Sequence, residues 1–131
     1  MSNERPVRGV VFAHGLMAAG LVDAVRTITG CPQDILQPLS NVEGSPEVLR
    51  QRLGEIIDDH PTIVFTDVRA SSCSTLAAAA LREGTVIAVV SGVNLPMLLH
   101  FVFQQDNSVD DLLDSLIQRG QDGIERTAVP T

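Results

Sequence analysis

The sequence predicts an α/β fold, a mainly parallel sheet of four strands with helices on both faces. Three observations carry this. First, the apolar runs at residues 7–13, 62–66 and 85–90 are continuous and rich in β-branched residues. Strands buried on both faces read this way, whereas half-exposed strands alternate. Second, segments with helical spacing separate these runs, which is the pattern of βαβ units. Third, such crossovers are right-handed, and a strand order 2-1-3-4 puts a topological switch point between the first and third strands, where open sheets bind ligands.

The first strand covers about Val7 to Ala13. Met17, Ala18, Leu21, Val22, Val25 and Ile28 then recur at helical spacing until Gly30 stops the helix. A short second strand is expected at Asp34 to Pro38. Ser45-Pro46 is an N-cap followed by proline at the first helical position. Leu49, Leu53, Ile56 and Ile57 mark that helix's apolar face, and His60-Pro61 ends it, because a residue before proline avoids the α region.

Thr62 to Thr66 forms the third strand and ends at Asp67. The alanine-rich stretch Ser74 to Arg82 favours helix and breaks at Gly84. Thr85 to Val90 is the most strand-like segment of the chain. After a turn at 91–94, Leu95 to Gln104 is helical and apolar nearly all round, as a helix covered on most sides must be. Ser108 caps a last amphipathic helix stopped by Gly120, and Gly123 to Val129 reads as a weak final strand.

A chain of 131 residues fits one domain, and its 44% hydrophobic content is enough for a core. No run reaches a membrane span, and Met1 to Pro6 has no apolar leader, so a cytoplasmic protein is expected. The net charge is −7, and the nine basic residues, all arginine, are scattered. With four aromatic rings and no basic stripe, nucleic-acid binding is disfavoured. Cys31 and Cys73 lie outside any CxxC, and His14, His60 and His100 are isolated, so neither a metal nor another cofactor is expected.

The chemistry gathers at two points. His14 ends the first strand and Asp67 ends the third, so the predicted crevice brings them together. A carboxylate beside one imidazole nitrogen fixes the proton there and leaves the other nitrogen a lone-pair nucleophile. After Asp67, the loop Val68-Arg69-Ala70-Ser71-Ser72-Cys73-Ser74 opens a helix. Free N–H groups, the hydroxyls of Ser71 and Ser72, and the charge of Arg69 make an anion cradle there; N-capping by Ser72 or Ser74 is the plainer reading. Together these point to phosphoryl transfer through a phosphohistidine. A Ser–His–Asp hydrolase using Ser71, Ser72 or Ser91 lacks the G-x-S-x-G elbow. A redox role for Cys73 competes with a buried, inert thiol.

The chain resembles the enzyme IIA domain of the mannose-type phosphoenolpyruvate-dependent sugar phosphotransferase system. Four segments carry the resemblance: residues 13–21 (AHGLMAAGL), 64–67 (VFTD), 91–99 (SGVNLPMLL) and 119–124 (RGQDGI). It implies a further antiparallel strand, about Gly123 to Val129, exchangeable between subunits of a homodimer. It also implies His14 as phosphoryl acceptor and Asp67 as its orienting group. Phospho-HPr would be the donor and an enzyme IIB the acceptor, with peripheral association to a membrane permease complex, no nucleic acid and no cofactor.

One loop departs from the family pattern. Where the family has a Gly-Gly-Ser-Pro type loop, this chain has Ala70-Ser71-Ser72-Cys73; Ser72 matches the serine and both glycines are lost. No IIB domain is expected to be fused to this one. A regulatory binding module of the same fold with impaired transfer, or the phosphocarrier of a dihydroxyacetone kinase system, are the alternatives.

Overall fold

The computed structural model describes residues 6–84, 86–105 and 107–130. Met1–Arg5, on which the expectation of no apolar leader falls, and Thr85, with which the fourth strand was expected to begin, lie outside them. Strands β1 (Arg8–Ala13), β2 (Leu36–Ser40), β3 (Thr62–Thr66) and β4 (Val86–Ser91) pair in parallel in the order β2-β1-β3-β4. The helices are α1 (Met17–Thr29), α2 (Pro46–Ile57), α3 (Ser72–Arg82), α4 (Leu95–Phe103) and α5 (Val109–Asp122). The expected fold and strand order are both present.

Strand side chains alternate between faces and so divide the core in two. Val11, Ala13, Ile63 and Phe65 pack with Ala18, Val22, Val25, Leu98, Phe101, Leu112 and Leu116 on the side of α1, α4 and α5. Val10, Phe12 and Val64 pack with Leu49, Leu53, Ile57, Cys73 and Ala77 on the side of α2 and α3. Phe65 and Phe101 meet edge to face with centroids 5.3 Å apart, a favoured aromatic geometry. The apolar α4 buries Met97, Leu98 and Phe101 but leaves Phe103 exposed.

Four expectations shift. The second strand runs Leu36–Ser40 and passes through Pro38. As an edge strand it tolerates a residue that donates no N–H. Helix α3 starts at Ser72, and Ser71 is its N-cap. Gly120 does not stop the last helix, which runs on to Asp122. It is there for packing instead: a Cβ at Gly120 would lie 2.7 Å from Met97 Cε, and its carbonyl accepts a 2.8 Å bond from Asn94 Nδ2. Finally, residues 124–130 form no strand within the chain and are exposed. No helix among the described residues is long and apolar enough to cross a membrane.

Gly9 shows how tightly the sheet meets α4. A Cβ there would lie 2.8 Å from Leu36 Cδ1 and 2.9 Å from Phe101 Cε2, and both side chains are fully buried. Overpacking of this kind costs roughly 1–3 kcal/mol. Gly9→Ala is therefore expected to lower the unfolding free energy by that amount in urea denaturation. A loss under about 0.5 kcal/mol, within the range of ordinary surface changes, would contradict this packing.

Candidate functional site

Strand β1 lies between β2 and β3. The chain leaves β1 towards one face and β3 towards the other, because α1 packs in one half of the core and α3 in the other. The crevice between those two strand ends is the switch point. His14 and Asp67 are the first residues past β1 and β3.

They meet there. His14 Nδ1 lies 2.6 Å from Asp67 Oδ2. The same oxygen accepts the His14 backbone N–H at 2.9 Å, while Oδ1 accepts the Val68 N–H at 2.9 Å. Burial works to raise the Asp67 pKa, but the bonds from the His14 ring, the His14 backbone and Val68 outweigh it and hold the carboxyl below its ordinary value. An ionised carboxylate only accepts hydrogen bonds, so the proton between the two groups belongs on Nδ1. The Nε2 lone pair is then free. The His14 side chain is 45% exposed, against 11% for Asp67, so the ring is open to solvent while its carboxylate partner is largely covered.

The loop after Asp67 approaches that free end. Ser72 Oγ lies 3.5 Å from His14 Nε2, at the limit of hydrogen bonding. Ser71 is placed differently. Its Oγ accepts the Ser74 N–H at 3.2 Å, and Ser74 Oγ accepts the Ser71 N–H at 2.8 Å. This reciprocal capping box fixes the start of α3. The N–H groups of Ser72 and Cys73 have no partner among the described residues, as expected for a first helical turn. Arg69 is exposed and makes no hydrogen bond or ion pair among the described residues. Ala70 has φ +62°, a left-handed conformation in which alanine is strained. It occupies one of the positions where the sequence departs from a glycine pattern.

Cys73 is fully buried beneath the histidine, with Sγ 4.0 Å from His14 Nδ1. Burial and the Asp67 charge push its thiol pKa up, against a smaller opposing contribution from a Ser72 hydrogen bond. That environment favours an unreactive thiol. His14, Asp67 and Cys73 place ligand-type atoms within 4.8 Å of one another. The 2.6 Å between Nδ1 and Oδ2 fits a shared proton; two ligands on one tetrahedral zinc stand roughly 3.3 Å apart. The pair would have to open to hold an ion.

Two residues that sequence reasoning passed over complete the site. Ser40 Oγ donates to the Gly15 carbonyl at 2.7 Å, and Asn41 Oδ1 accepts the Gly15 N–H at 3.0 Å. The second strand was expected to end before them, so nothing singled them out.

Fold and site together define a doubly wound α/β protein with a histidine–aspartate pair at its switch point. Residues 9–117 match the EIIA-man family, the fructose IIA component of the phosphotransferase system, and the chain belongs to that family. Similar solved structures include the phosphotransferase component EIIA from Streptococcus agalactiae, 27% identical, with 92% of this chain and 96% of that one covered and a TM-score of 0.82. The mannose/sorbose-specific IIA subunit from Enterococcus faecalis is 21% identical over 97% of this chain and 98% of that one, with a TM-score of 0.81. A sigma-54 interaction domain protein from Enterococcus faecalis shares the fold at 13% identity, with 93% and 95% covered and a TM-score of 0.72. None of the curated proteins matches.

The lowered Asp67 pKa has a signed consequence. Its stabilising contribution is complete above the unfolded-state value near 4 and is lost as pH falls through the lower folded-state value. The stability difference between the wild type and Asp67→Asn should therefore shrink below about pH 4 in urea denaturation. A difference that stays constant from about pH 6 to about pH 3 would contradict this coupling.

Proposed function

We propose that this IIA component is a phosphocarrier that accepts a phosphoryl group from phospho-HPr on His14 Nε2 and passes it to an enzyme IIB. The observation that carries the reading is the 2.6 Å contact of Nδ1 with Asp67, which leaves Nε2 open. The Nε2 lone pair attacks phosphorus, and the bond from phosphorus to the donor breaks with its electron pair leaving on HPr. The Nδ1 proton stays on the ring, and the Asp67 carboxylate stabilises the positive charge that develops there. Transfer to IIB reverses these roles.

The phosphoryl oxygens would lie beside Ser72 Oγ and the open N–H groups of Ser72 and Cys73, at the positive end of α3. Ser71 is committed as an acceptor in the cap, but its hydroxyl hydrogen is still free to donate. Arg69, exposed and unpaired among the described residues, supplies a cation at the rim. Leu16, Val42 and Val68 are exposed next to Gly15, Asn41 and Asp67, the residues that frame the histidine. Exposed apolar side chains around an open imidazole suit docking by a protein donor.

The same reading takes the chain as a cytoplasmic homodimer at the edge of a membrane permease complex. The stretch from about Gly123 to Val129 would add as an antiparallel strand to the partner's edge strand β4, and sedimentation equilibrium reads whether the dimer forms. Impaired transfer in a regulatory role is the second reading, favoured by the strained Ala70. A dihydroxyacetone kinase phosphocarrier remains the alternative acceptor system.

Incubation with phosphoenolpyruvate, enzyme I and HPr is the test. An acid-labile phosphoryl group should appear and be lost in His14→Ala. Ser72→Ala should slow labelling about tenfold, the value of one charge-assisted hydrogen bond. Absence of label, or label surviving His14→Ala, would overturn the phosphocarrier reading. Faster labelling of Ala70→Gly would favour impaired transfer, and an equal rate would count against it.

A further inference from the structure

We infer that Ser40 and Asn41 form a positioning clamp that sets the orientation of the His14 ring for transfer. This rests on the phosphocarrier reading. The clamp follows from register: Ala13 of β1 stands opposite Ser40 of β2 at the carboxyl edge of the sheet. One residue beyond His14, the chain turns at Gly15 with φ +60°, a conformation glycine adopts without strain. Both backbone groups of this glycine are held by consecutive side chains of the neighbouring strand end. Its N–H donates to Asn41 Oδ1 at 3.0 Å, and its carbonyl accepts from Ser40 Oγ at 2.7 Å.

The clamp is itself braced. Ser40 Oγ accepts the Val42 N–H at 3.3 Å, and the Ser40 N–H donates to Glu43 Oε2 at 2.7 Å. Glu43 pairs with Arg52 of α2 at 2.8 Å. A continuous set of contacts therefore runs from α2 to Gly15. On the other side, Asp67 holds the His14 N–H and ring at the end of β3.

The phosphoacceptor is thus suspended between two strand ends. Asp67 fixes the ring nitrogen that carries the proton, and Ser40 with Asn41 fixes the turn that carries the ring. Neither clamp residue has a described contact with the ring, so their effect is on geometry rather than on the reacting atoms. Displacing a reacting group by about 1 Å costs on the order of a hundredfold in rate. A turn loosened by one hydrogen bond should cost part of that.

The test compares Ser40→Ala, Asn41→Ala and Ser40→Thr in phosphorylation by phospho-HPr, alongside amide hydrogen exchange at Gly15. Each alanine variant should lower the maximal rate about tenfold with the apparent KM for phospho-HPr within about twofold, the signature of lost alignment rather than lost binding. Ser40→Thr keeps the hydroxyl and should recover most of the rate. In unphosphorylated Asn41→Ala, the Gly15 amide should exchange about fivefold faster or more, as expected when its bond of about 1 kcal/mol is removed. Wild-type maximal rates in both alanine variants, or loss in Ser40→Thr equal to that in Ser40→Ala, would overturn the clamp. If the wild type takes no label, the phosphocarrier reading fails and the exchange measurement decides the clamp alone: faster Gly15 exchange supports it, and unchanged exchange overturns it.

Discussion

The Asp67 carboxylate organises the carboxyl edge of this sheet. It accepts three hydrogen bonds, from the His14 ring, the His14 backbone and the Val68 backbone. Two of them tie the end of β1 to the end of β3. The third turns the chain towards the serine loop and α3. Because the ring bond uses Nδ1, the same contact decides which nitrogen is free. The parallel pairing of Phe12 with Thr66 puts the two strand ends level, and without that register the bond could not form. Burial of Asp67 would ordinarily favour its neutral form, and the three donors reverse that preference.

The loop opposite the histidine contains no glycine. Its glycine-free sequence still reaches a left-handed conformation, at Ala70 with φ +62°. An alanine there costs about 1–2 kcal/mol, and strain at a site persists only where surrounding contacts hold it. The capping box of Ser71 and Ser74 is such a contact, anchoring the loop directly after Ala70. The loop keeps a helix N-terminus next to His14 at the expense of backbone strain. Cys73, at the base of this loop, fills buried space under the histidine with a thiol that its surroundings keep protonated.

Much of this was legible in the sequence, for identifiable reasons. Continuous apolar strands and helical periods are dictated by burial, so β1, β3 and α1 lie close to where the pattern puts them. His14 and Asp67 could be paired because topology alone brings the ends of the first and third strands together. Pro38 was misleading because a proline is disfavoured inside strands generally but tolerated at an edge, and the sequence does not say which strand is the edge. Gly120 was misleading because a helix stop and a close helix contact select the same residue. Ser40 and Asn41 carry no pattern of their own. Their hydrogen bonds to Gly15 depend on the register of β1 against β2, which only the folded sheet defines. The weak strand pattern of Gly123 to Val129 finds no partner strand among the described residues.

The proposed chemistry requires that Asp67 hold the proton on Nδ1 of His14 and leave the Nε2 lone pair free. Long-range proton–nitrogen NMR of the neutral imidazole rings reads the tautomer of His14. The 2.6 Å contact predicts the Nδ1–H tautomer for His14, with a downfield ring proton that disappears in Asp67→Ala. A predominant Nε2–H tautomer in the wild type would contradict it.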